Sequence, residues 1–361
     1  MKIIFICTKS ITFNTFLKSQ SDYLIKKGFK VEVACSDKEK LSHKKKLNHK
    51  INFPTRILEF FNLIIYIKVF FQIKSLVKKN TSALFFIHTP IASHLFRIFT
   101  FFNKLKIIYF VHGFRFTSKT TGFKAFFFKL IEKVLSIKTN IFITINNEDY
   151  NYAKSNLIAK NLCYKINGVG LDPNLKNKKI KTIKKKEIKK ILVIAAYKKE
   201  KGYFEILKVA EMLKNKKIHV DCYGYGDYQK FKSIKIKNKL KNISFYKFDI
   251  KLKNKIKRYD VLLHLSKREG LPVSVMQSLL NGLPVICYNI RGNNDLIKDR
   301  FNGFFVKTYR DVPSKILYLN SQKSIFLKIR NNAIKSINKN FFKKEINLKL
   351  YKIINNYIKC N

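Results

Sequence analysis

Residues 268–285 read REGLPVSVMQSLLNGLPV, and this stretch decides the fold. It follows an apolar run typical of a buried strand. A turn containing Gly270 comes next, and Pro272 stands where a helix is expected to begin. Gly282 then ends the helix, and Pro284 introduces another strand. A strand, a turn, a helix and a second strand in this order form the repeating unit of a parallel α/β sheet.

The same alternation extends toward the N-terminus and defines a first domain. Its strand candidates are Lys2–Cys7, Lys30–Cys35, Ala83–Ile87, Lys106–Val111 and Asn140–Ile145. Helical segments separate most of them, and one of these helices runs from about Asn14 to Lys27 and ends at Gly28. Buried strands that alternate with helices indicate a parallel sheet with helices on both faces.

A second series of strands surrounds the opening stretch. It comprises Lys190–Ala195, Ile218–Tyr223, Ile243–Tyr246, Val261–Leu265 and Pro284–Tyr288. We therefore predict an N-terminal domain at 1–174, a basic linker at 175–190 and a second domain at 191–339. The chain is helical from about Phe326 onward, and a last helix at about 340–361 could return to the first domain. Two such sheets facing one another would form a cleft at the carboxyl ends of their strands.

Composition excludes several classes of protein. The 361 residues include 75 Lys and Arg against 22 Asp and Glu, a formal charge of +53, with 46% hydrophobic residues. That hydrophobic content excludes a disordered polyelectrolyte. Six cysteines without a CxxC pair argue against a disulfide scaffold or a zinc module, which favours a reduced, cytoplasmic protein.

Two explanations of the charge remain open at this point. One is codon bias, since Lys, Asn, Ile, Phe and Tyr are plentiful while Gly is 12 and Trp is 0. The other is selection for an anionic partner. Nucleic-acid binding would rest on charge alone, because the sequence contains no recognised nucleic-acid module, and we do not expect it.

The segment Ile57–Val77 is the most apolar part of the chain. Glu59, Lys68, Gln72 and Lys74 interrupt it, so it is not expected to span a bilayer, which requires about 20 nearly uninterrupted apolar residues. With its lysines it could lie flat on an anionic membrane surface. A helix covering one side of the first domain is an equally good interpretation. The N-terminal residues do not resemble a signal peptide.

The turn before the predicted helix has the properties of a phosphate site. Backbone N–H groups at 271–274 would point outward together with the positive end of the helix dipole. Glu269 precedes them and could accept hydrogen bonds from hydroxyl groups. An ordinary strand–turn–helix connection would show the same pattern.

Several further segments carry a family resemblance. They are 87–92 (IHTPIA), 111–114 (VHGF), 143–150 (ITINNEDY), 168–172 (GVGLD), 199–202 (KEKG) and 290–293 (IRGN). Together with 268–285, and in this order, they make the chain resemble the family-4 glycosyltransferases over nearly its whole length. The resemblance implies the GT-B fold, with two Rossmann-like domains facing across a cleft, and sugar transfer with retention of anomeric configuration. The branch resembled makes capsular, exopolysaccharide or O-antigen linkages on a lipid carrier.

The resemblance also implies roles for individual residues. Glu269 matches the acid that holds sugar hydroxyls, Lys201 the cation at the diphosphate, and His112 the histidine that reaches the donor sugar and the acceptor. The residues expected to bind the donor are Gly270, Leu271, Pro272, Val273, Gln277, Gly224 and Gly226. On the acceptor side we expect Arg115 and Thr8. His88 is expected to be structural.

Three departures from the family pattern leave an alternative open. Gln277 stands where the family has a second acid, Ala196 where it has a phosphate-binding arginine, and Thr8–Thr12 where relatives have a glycine-rich loop. Lys198, Lys199 or Arg268 could replace the missing arginine. The alternative is a catalytically impaired homologue that binds a membrane or a partner enzyme.

The expected substrates are a nucleotide sugar, most simply a UDP-sugar, and a lipid-linked saccharide. No resident metal or other cofactor is implied, because the chain lacks the Asp-x-Asp pair with which other sugar transferases hold a cation. We expect a cytoplasmic protein bound peripherally to the inner face of the cytoplasmic membrane.

Overall fold

The computed structural model describes residues 1–36, 49–55, 59, 61–158, 162–172, 187–249 and 251–360. The chain divides into two compact units. Unit 1 consists of Met1–Val169 and Lys343–Asn361, and unit 2 of Gly170–Phe342. Of the predicted basic linker at 175–190, only the last four positions lie within the described residues.

The described part of unit 1 contains a parallel seven-stranded sheet in the order β3-β2-β1-β4-β5-β6-β7. Its strands are β1 Lys2–Ile6, β2 Lys30–Cys35, β3 His49–Lys50, β4 Leu84–His88, β5 Lys106–Val111, β6 Ile141–Thr144 and β7 Cys163–Lys165. The five predicted strands are present. The sequence did not reveal β3 and β7, because two or three residues are too few to show a pattern.

The helices of unit 1 lie between these strands. They are α1 Ser10–Thr12, α2 Lys18–Lys26, α3 Leu63–Lys78, α4 Pro90–Phe99, α5 Gly122–Ser136 and α6 Asn147–Asn156, and a π-helical turn at Phe13–Leu17 joins α1 to α2. Asparagine side chains fix two of the helix starts. Asn62 accepts a hydrogen bond from the amide of Ile64, and Asn146 accepts one from the amide of Asp149.

In the described residues of unit 2, a parallel sheet has six strands in the order β10-β9-β8-β11-β12-β13. Its strands are β8 Lys190–Ile194, β9 His219–Gly224, β10 Ile243–Lys247, β11 Val261–His264, β12 Val285–Tyr288 and β13 Gly303–Val306. Its helices are α7 Tyr203–Met212, α8 Gln229–Lys237, α9 Leu252–Lys255, α10 Val273–Leu280, α11 Val312–Ser321 and α12 Lys323–Ser336. Strand β13 was not predicted, because its four residues follow a turn without a distinctive pattern.

The last helix, α13 Lys343–Cys360, belongs to unit 1 and packs on α2. Its buried Asn347 donates to the backbone oxygen and the hydroxyl of Ser19, at 3.1 and 2.9 Å. The ammonium of Lys27, at the end of α2, lies 5.3 Å from the ring of Tyr351 on α13. The chain therefore ends in the unit in which it begins.

Each sheet has one point where the strand order reverses. In unit 1 this point lies between β1 and β4, and in unit 2 between β8 and β11. The loops that leave two such strands diverge, and in open α/β sheets ligands bind in the crevice that results. The two parallel sheets with their intervening helices confirm the predicted α/β architecture.

A buried ion cluster joins α4 to α5 in unit 1. The guanidinium of Arg97 and the imidazole of His94 each lie 2.8 Å from a different carboxylate oxygen of Glu132. Burial by itself raises the pKa of Glu132, but the charge of Arg97 and the contacts with His94 outweigh it and lower the pKa to about 2. Glu132 is therefore ionised inside the protein.

Candidate active site

Glu269 lies at the carboxyl edge of the unit 2 sheet, in the turn that joins β11 to α10. The ammonium of Lys201 lies 2.6 Å from its Oε1 oxygen, and Nε2 of His264, the last residue of β11, lies 3.3 Å from the same oxygen. Only 14% of the Glu269 side chain is exposed. Glu269 and Lys201 were both predicted for the site, and the structure brings them into contact.

Sequence reasoning missed His264. It occupies the end of the apolar run Val261–Leu265, and a histidine in such a run looks like part of a buried strand. The available signal was its place five residues before Glu269, at the carboxyl end of the strand, where polar side chains reach the ligand edge of the sheet.

The surroundings of Glu269 keep it ionised. Burial raises the pKa of the carboxyl group, but the neighbouring His264 imidazole and the ammonium of Lys201 together overcome this effect and lower the pKa to about 2. The carboxylate therefore carries its negative charge at any physiological pH. It can accept hydrogen bonds or stabilise a neighbouring positive charge, and it is a poor proton donor.

The helix after Glu269 begins one residue later than predicted. Pro272 is the N-cap and α10 starts at Val273, so the expectation that Pro272 opens the helix was wrong by one position. Proline has no N–H, and the amides that an α-helix leaves without an intrahelical partner here are those of Val273, Ser274 and Val275. These three amides carry the positive end of the helix dipole next to Glu269 and Leu271.

A close backbone contact holds this turn in place. Gly292 has φ +78°, and a Cβ atom at this position would lie 2.2 Å from the carbonyl oxygen of Gly270. The buried Arg291 donates from Nε to the carbonyl oxygen of Glu269 at 2.9 Å. The motif at 290–293 therefore supports the turn that carries the acid, a role which the sequence did not indicate.

The glycine pair after β9 packs against the end of β8. A Cβ atom at Gly224 would lie only 1.9 Å from the carbonyl oxygen of Ala195, and the residue nearest to Gly226 is Tyr197. Tyr197 also donates its hydroxyl to the carbonyl oxygen of Tyr246, at 2.6 Å. Both predicted donor-binding glycines thus lie at the carboxyl edge of the sheet, where they allow its loops to approach each other.

The departures from the family pattern lie around the same edge. Ala196 is partly buried just after β8, and the side chains of Lys198, Lys199 and Arg268 are exposed in the flanking turns. Gln277 is partly buried on α10, one turn after Val273. Among the described residues, Lys201 is the cation paired with Glu269.

Two histidines meet at the carboxyl edge of the unit 1 sheet. His88 ends β4 and His112 follows β5, and Nδ1 of His88 lies 3.2 Å from Nε2 of His112. Burial lowers the pKa of His112 to about 4. Burial is also the main cause of the lowered pKa of His88, and the neighbouring His112 lowers it further. Both rings are therefore neutral at physiological pH. His88 stacks on Phe5, with ring centroids 5.3 Å apart.

The predicted acceptor-side residues occupy the same edge of unit 1. Thr8 follows β1, and its hydroxyl lies 2.7 Å from that of Thr89, which follows β4. Thr89 holds φ +64°, a strained value for a β-branched residue, and its contact with Thr8 helps to fix it. The guanidinium of Arg115 lies 5.1 Å from the ring of Phe128. Thr89 was not predicted for the site, and the signal for it was its place in the motif at 87–92.

Two family models match most of the chain. Residues 2–146 match the model described as Glycosyl transferase 4-like, and residues 175–336 match the model described as Glycosyl transferases group 1. The second match contains Lys201, Glu269 and α10. The chain is a glycosyltransferase.

Curated relatives agree with this conclusion. The enzyme is 26% identical over 325 residues to the Bacillus subtilis protein named "Putative glycosyltransferase EpsD", and the match covers 85% of this chain and 83% of that protein. A shorter match, 41% identical over 54 residues, covers 15% of this chain and 14% of the UDP-Gal:alpha-D-GlcNAc-diphosphoundecaprenol alpha-1,3-galactosyltransferase of Escherichia coli.

The fold also agrees with solved structures. HepE of Anabaena, solved in complex with UDP and glucose, superimposes with a TM-score of 0.76 over 99% of this chain and 100% of HepE, at 14% identity. The predicted GT-B fold, with its two Rossmann-like domains, is thereby confirmed.

Gln277→Glu tests the prediction that position 277 contacts the nucleotide. We expect Gln277→Glu to tighten binding of a UDP-sugar by about 5- to 30-fold, because a carboxylate accepts hydrogen bonds from ribose hydroxyls more strongly than an amide does. Isothermal titration with uridine diphosphate and with inorganic pyrophosphate measures this, since pyrophosphate lacks ribose and should gain nothing. Gln229→Glu on the exposed start of α8 is the matched control. Unchanged or weaker binding of uridine diphosphate would contradict the prediction.

Proposed function

We propose that the enzyme transfers a sugar, with retention of anomeric configuration, from a UDP-sugar to a lipid-linked saccharide in the synthesis of a surface polysaccharide. The contact between Glu269 and Lys201, directly before the N-terminus of α10, carries the proposal. The diphosphate-lipid acceptor of the Escherichia coli relative and the UDP bound by HepE support the choice of substrates.

The chemistry of the donor explains the arrangement. When the bond between the anomeric carbon and the β-phosphate oxygen breaks, its electron pair stays on the phosphate, so negative charge develops there. Lys201 and the amides of Val273, Ser274 and Val275 would stabilise that charge. The carboxylate of Glu269 would hold sugar hydroxyls and stabilise the positive charge on the anomeric carbon.

The acceptor completes the reaction without a separate base. Its hydroxyl oxygen forms the new bond to the anomeric carbon, and its proton passes to the departing phosphate oxygen. For His112 we keep the predicted role of contacting the donor sugar and the acceptor. With a pKa of about 4 the ring would act as a neutral hydrogen-bonding partner.

We do not favour the impaired homologue. Ala196 and Gln277 remove two favourable contacts, but the acid, the cation and the helix N-terminus are together at one edge of unit 2. We also keep the prediction that the reaction needs no resident metal. In the described residues, no group of three or more His, Cys, Asp or Glu side chains is arranged to hold one.

Lys201 provides the test of the donor site. Thermal-shift screening with UDP-, GDP- and TDP-sugars should identify the donor, and Lys201→Met should weaken its binding by about 10- to 150-fold, the value of a charge-assisted hydrogen bond. Lys267→Met is the matched control, since Lys267 pairs with Glu205 at the same distance of 2.6 Å. The proposal fails if no nucleotide sugar is bound or hydrolysed, or if the Lys201 variant binds the donor as tightly as the wild-type enzyme.

We further propose that the enzyme acts at the inner face of the cytoplasmic membrane, where a lipid-linked acceptor would be found. Among the described helices, none is long and apolar enough to cross a bilayer. The attachment that we propose is peripheral.

A further inference from the structure

Helix α5 exposes a row of apolar side chains. Phe123, Leu130 and Val134 are joined by steps of three or four residues through the adjacent pair Phe126 and Phe127, so the five lie along one side of the helix. Phe123 is 80% exposed and Phe126 is 63% exposed. The opposite side of the helix contributes to the core. A helix on the surface of a soluble protein normally has polar residues on its outer side.

Neighbouring helices extend this row into a surface. Helix α4 packs on both α3 and α5, so the three helices are adjacent in unit 1. We use the name apolar face for the exposed apolar residues of α3, α4, α5 and their ends, namely Phe61, Leu63, Ile64, Ile67, Phe71, Ile98, Phe102, Phe123, Phe126, Phe127, Leu130, Val134 and Ile137. Phe102 is 94% exposed and Phe61 is 85% exposed. Clusters of exposed aromatic residues of this size mark a binding surface.

The exposed charges on α3, α4 and α5 have one sign. Helices α3 and α5 present lysines among the apolar residues, including Lys68, Lys74, Lys124 and Lys133. The single acidic residue within α3, α4 and α5 is Glu132, which is buried and paired with Arg97. The surface therefore combines apolar side chains with uncompensated positive charge.

We propose that the apolar face docks on the surface of an anionic lipid bilayer. Phenylalanine and leucine side chains would enter the region between headgroups and acyl chains, and the lysines would contact anionic headgroups. A second copy of the chain fits less well, because the same lysines would face one another. This inference rests on the proposed lipid-linked acceptor and specifies how the enzyme would reach it. The sequence indicated only the segment Ile57–Val77, part of which lies outside the described residues.

Vesicle flotation with the full-length protein tests the inference. Vesicles of phosphatidylcholine with phosphatidylglycerol should bind the wild-type enzyme, and vesicles of phosphatidylcholine alone should bind it much more weakly. Phe126→Ser with Phe127→Ser should weaken binding by about tenfold for each side chain. Ile236→Ser is the matched control, because Ile236 is 65% exposed on the lysine-rich helix α8 of unit 2.

The electrostatic contribution has its own pair of variants. Lys124→Gln with Lys133→Gln should weaken binding to the anionic vesicles by about fivefold for each lysine. Lys232→Gln with Lys235→Gln on α8 removes the same charge from unit 2 and should change binding little. Equal losses in the two double variants would mean that net charge alone drives binding, which would overturn the inference.

Fluorescence gives an independent measurement, because the chain contains no tryptophan. A single Trp introduced as Phe126→Trp should shift its emission to the blue when anionic vesicles are added, while Ile236→Trp should not. These assays contain neither donor nor acceptor, so their outcome is separate from that of the proposed function. Unchanged flotation of the Phe126 and Phe127 variant would overturn the inference. So would lipid-free dimerisation in analytical ultracentrifugation that this variant abolishes, since the apolar face would then bind a second copy.

Discussion

Glu269→Gln is expected to lower kcat by about 10²- to 10³-fold, which is the usual cost of removing one preorganised electrostatic group from an active site. Glutamine keeps the size of the side chain and can accept a hydrogen bond, but it has no charge to stabilise a positive anomeric carbon. The contact with Lys201 at 2.6 Å would also lose its ionic character. Measurement of kcat and KM with the donor identified by thermal shift tests the prediction.

The matched control is Glu205→Gln. Glu205 pairs with Lys267 at 2.6 Å in the same unit, so the variant removes an equivalent ion pair from outside the site. We expect its kcat to remain within about twofold of the wild-type value. A Glu269→Gln enzyme that keeps more than a tenth of the wild-type kcat would show that the charge of Glu269 is not needed for transfer.

The pH profile provides a second measurement on the same residue. Since the pKa of Glu269 is about 2, loss of its charge does not reduce activity until the pH approaches that value. Protonation of His112, with a pKa of about 4, comes first as the pH falls. An acid limb near pH 4 that disappears in His112→Asn, while the Glu269→Gln enzyme retains it, would assign the limb to the histidine.

Glu132→Gln is expected to lower the free energy of unfolding by about 3–5 kcal/mol, because it leaves the charge of Arg97 buried without its partner. The side chain of Arg97 is 0% exposed and that of Glu132 is 2% exposed. A loss of this size is a large fraction of the stability of an ordinary domain. Denaturant unfolding at neutral pH, followed by circular dichroism, measures it.

A double variant separates loss of the pair from loss of packing. Arg97→Met with Glu132→Leu removes both charges, so we expect most of the stability to return. The pH dependence has a definite sign. Because folding lowers the pKa of Glu132 from 4.5 to about 2, its contribution is complete above pH 4.5 and is lost as the pH falls toward 2. The difference between the wild-type and Glu132→Gln proteins should shrink over that interval.

Much of the architecture was predictable because buried parallel strands are strongly apolar. The runs at Lys2–Ile6 and Lys106–Val111 are examples, and the turn at Gly270 with the helix after it was equally clear. Strands β3 and β7 could not be found, since pairing with a neighbouring strand defines them and no local pattern does. The one-residue error at Pro272 has a similar cause, because a proline fits both the N-cap and the first helical position.

Contacts at the site were less predictable than its position. The family resemblance implied that Glu269 and Lys201 belong to one site, but only folding shows that His264 approaches the same carboxylate. The histidine pair formed by His88 and His112 is similar, since the two residues are 24 positions apart. The exposed side of α5 was unpredictable for another reason. From sequence alone, an apolar helix is predicted to be buried in the core. Only the packing of neighbouring elements determines which side of it is covered.

The close contacts of Gly224 and Gly292 constrain how the enzyme can be redesigned. A library that varies donor preference can include Gln277 and Ala196, which are both partly buried near this edge of unit 2. At Gly224 and Gly292, even alanine would place a methyl group within 1.9 and 2.2 Å of a backbone oxygen. Randomising these two codons would therefore force backbone shifts in most variants, whereas fixing them directs the diversity to positions where the proposed donor site can vary.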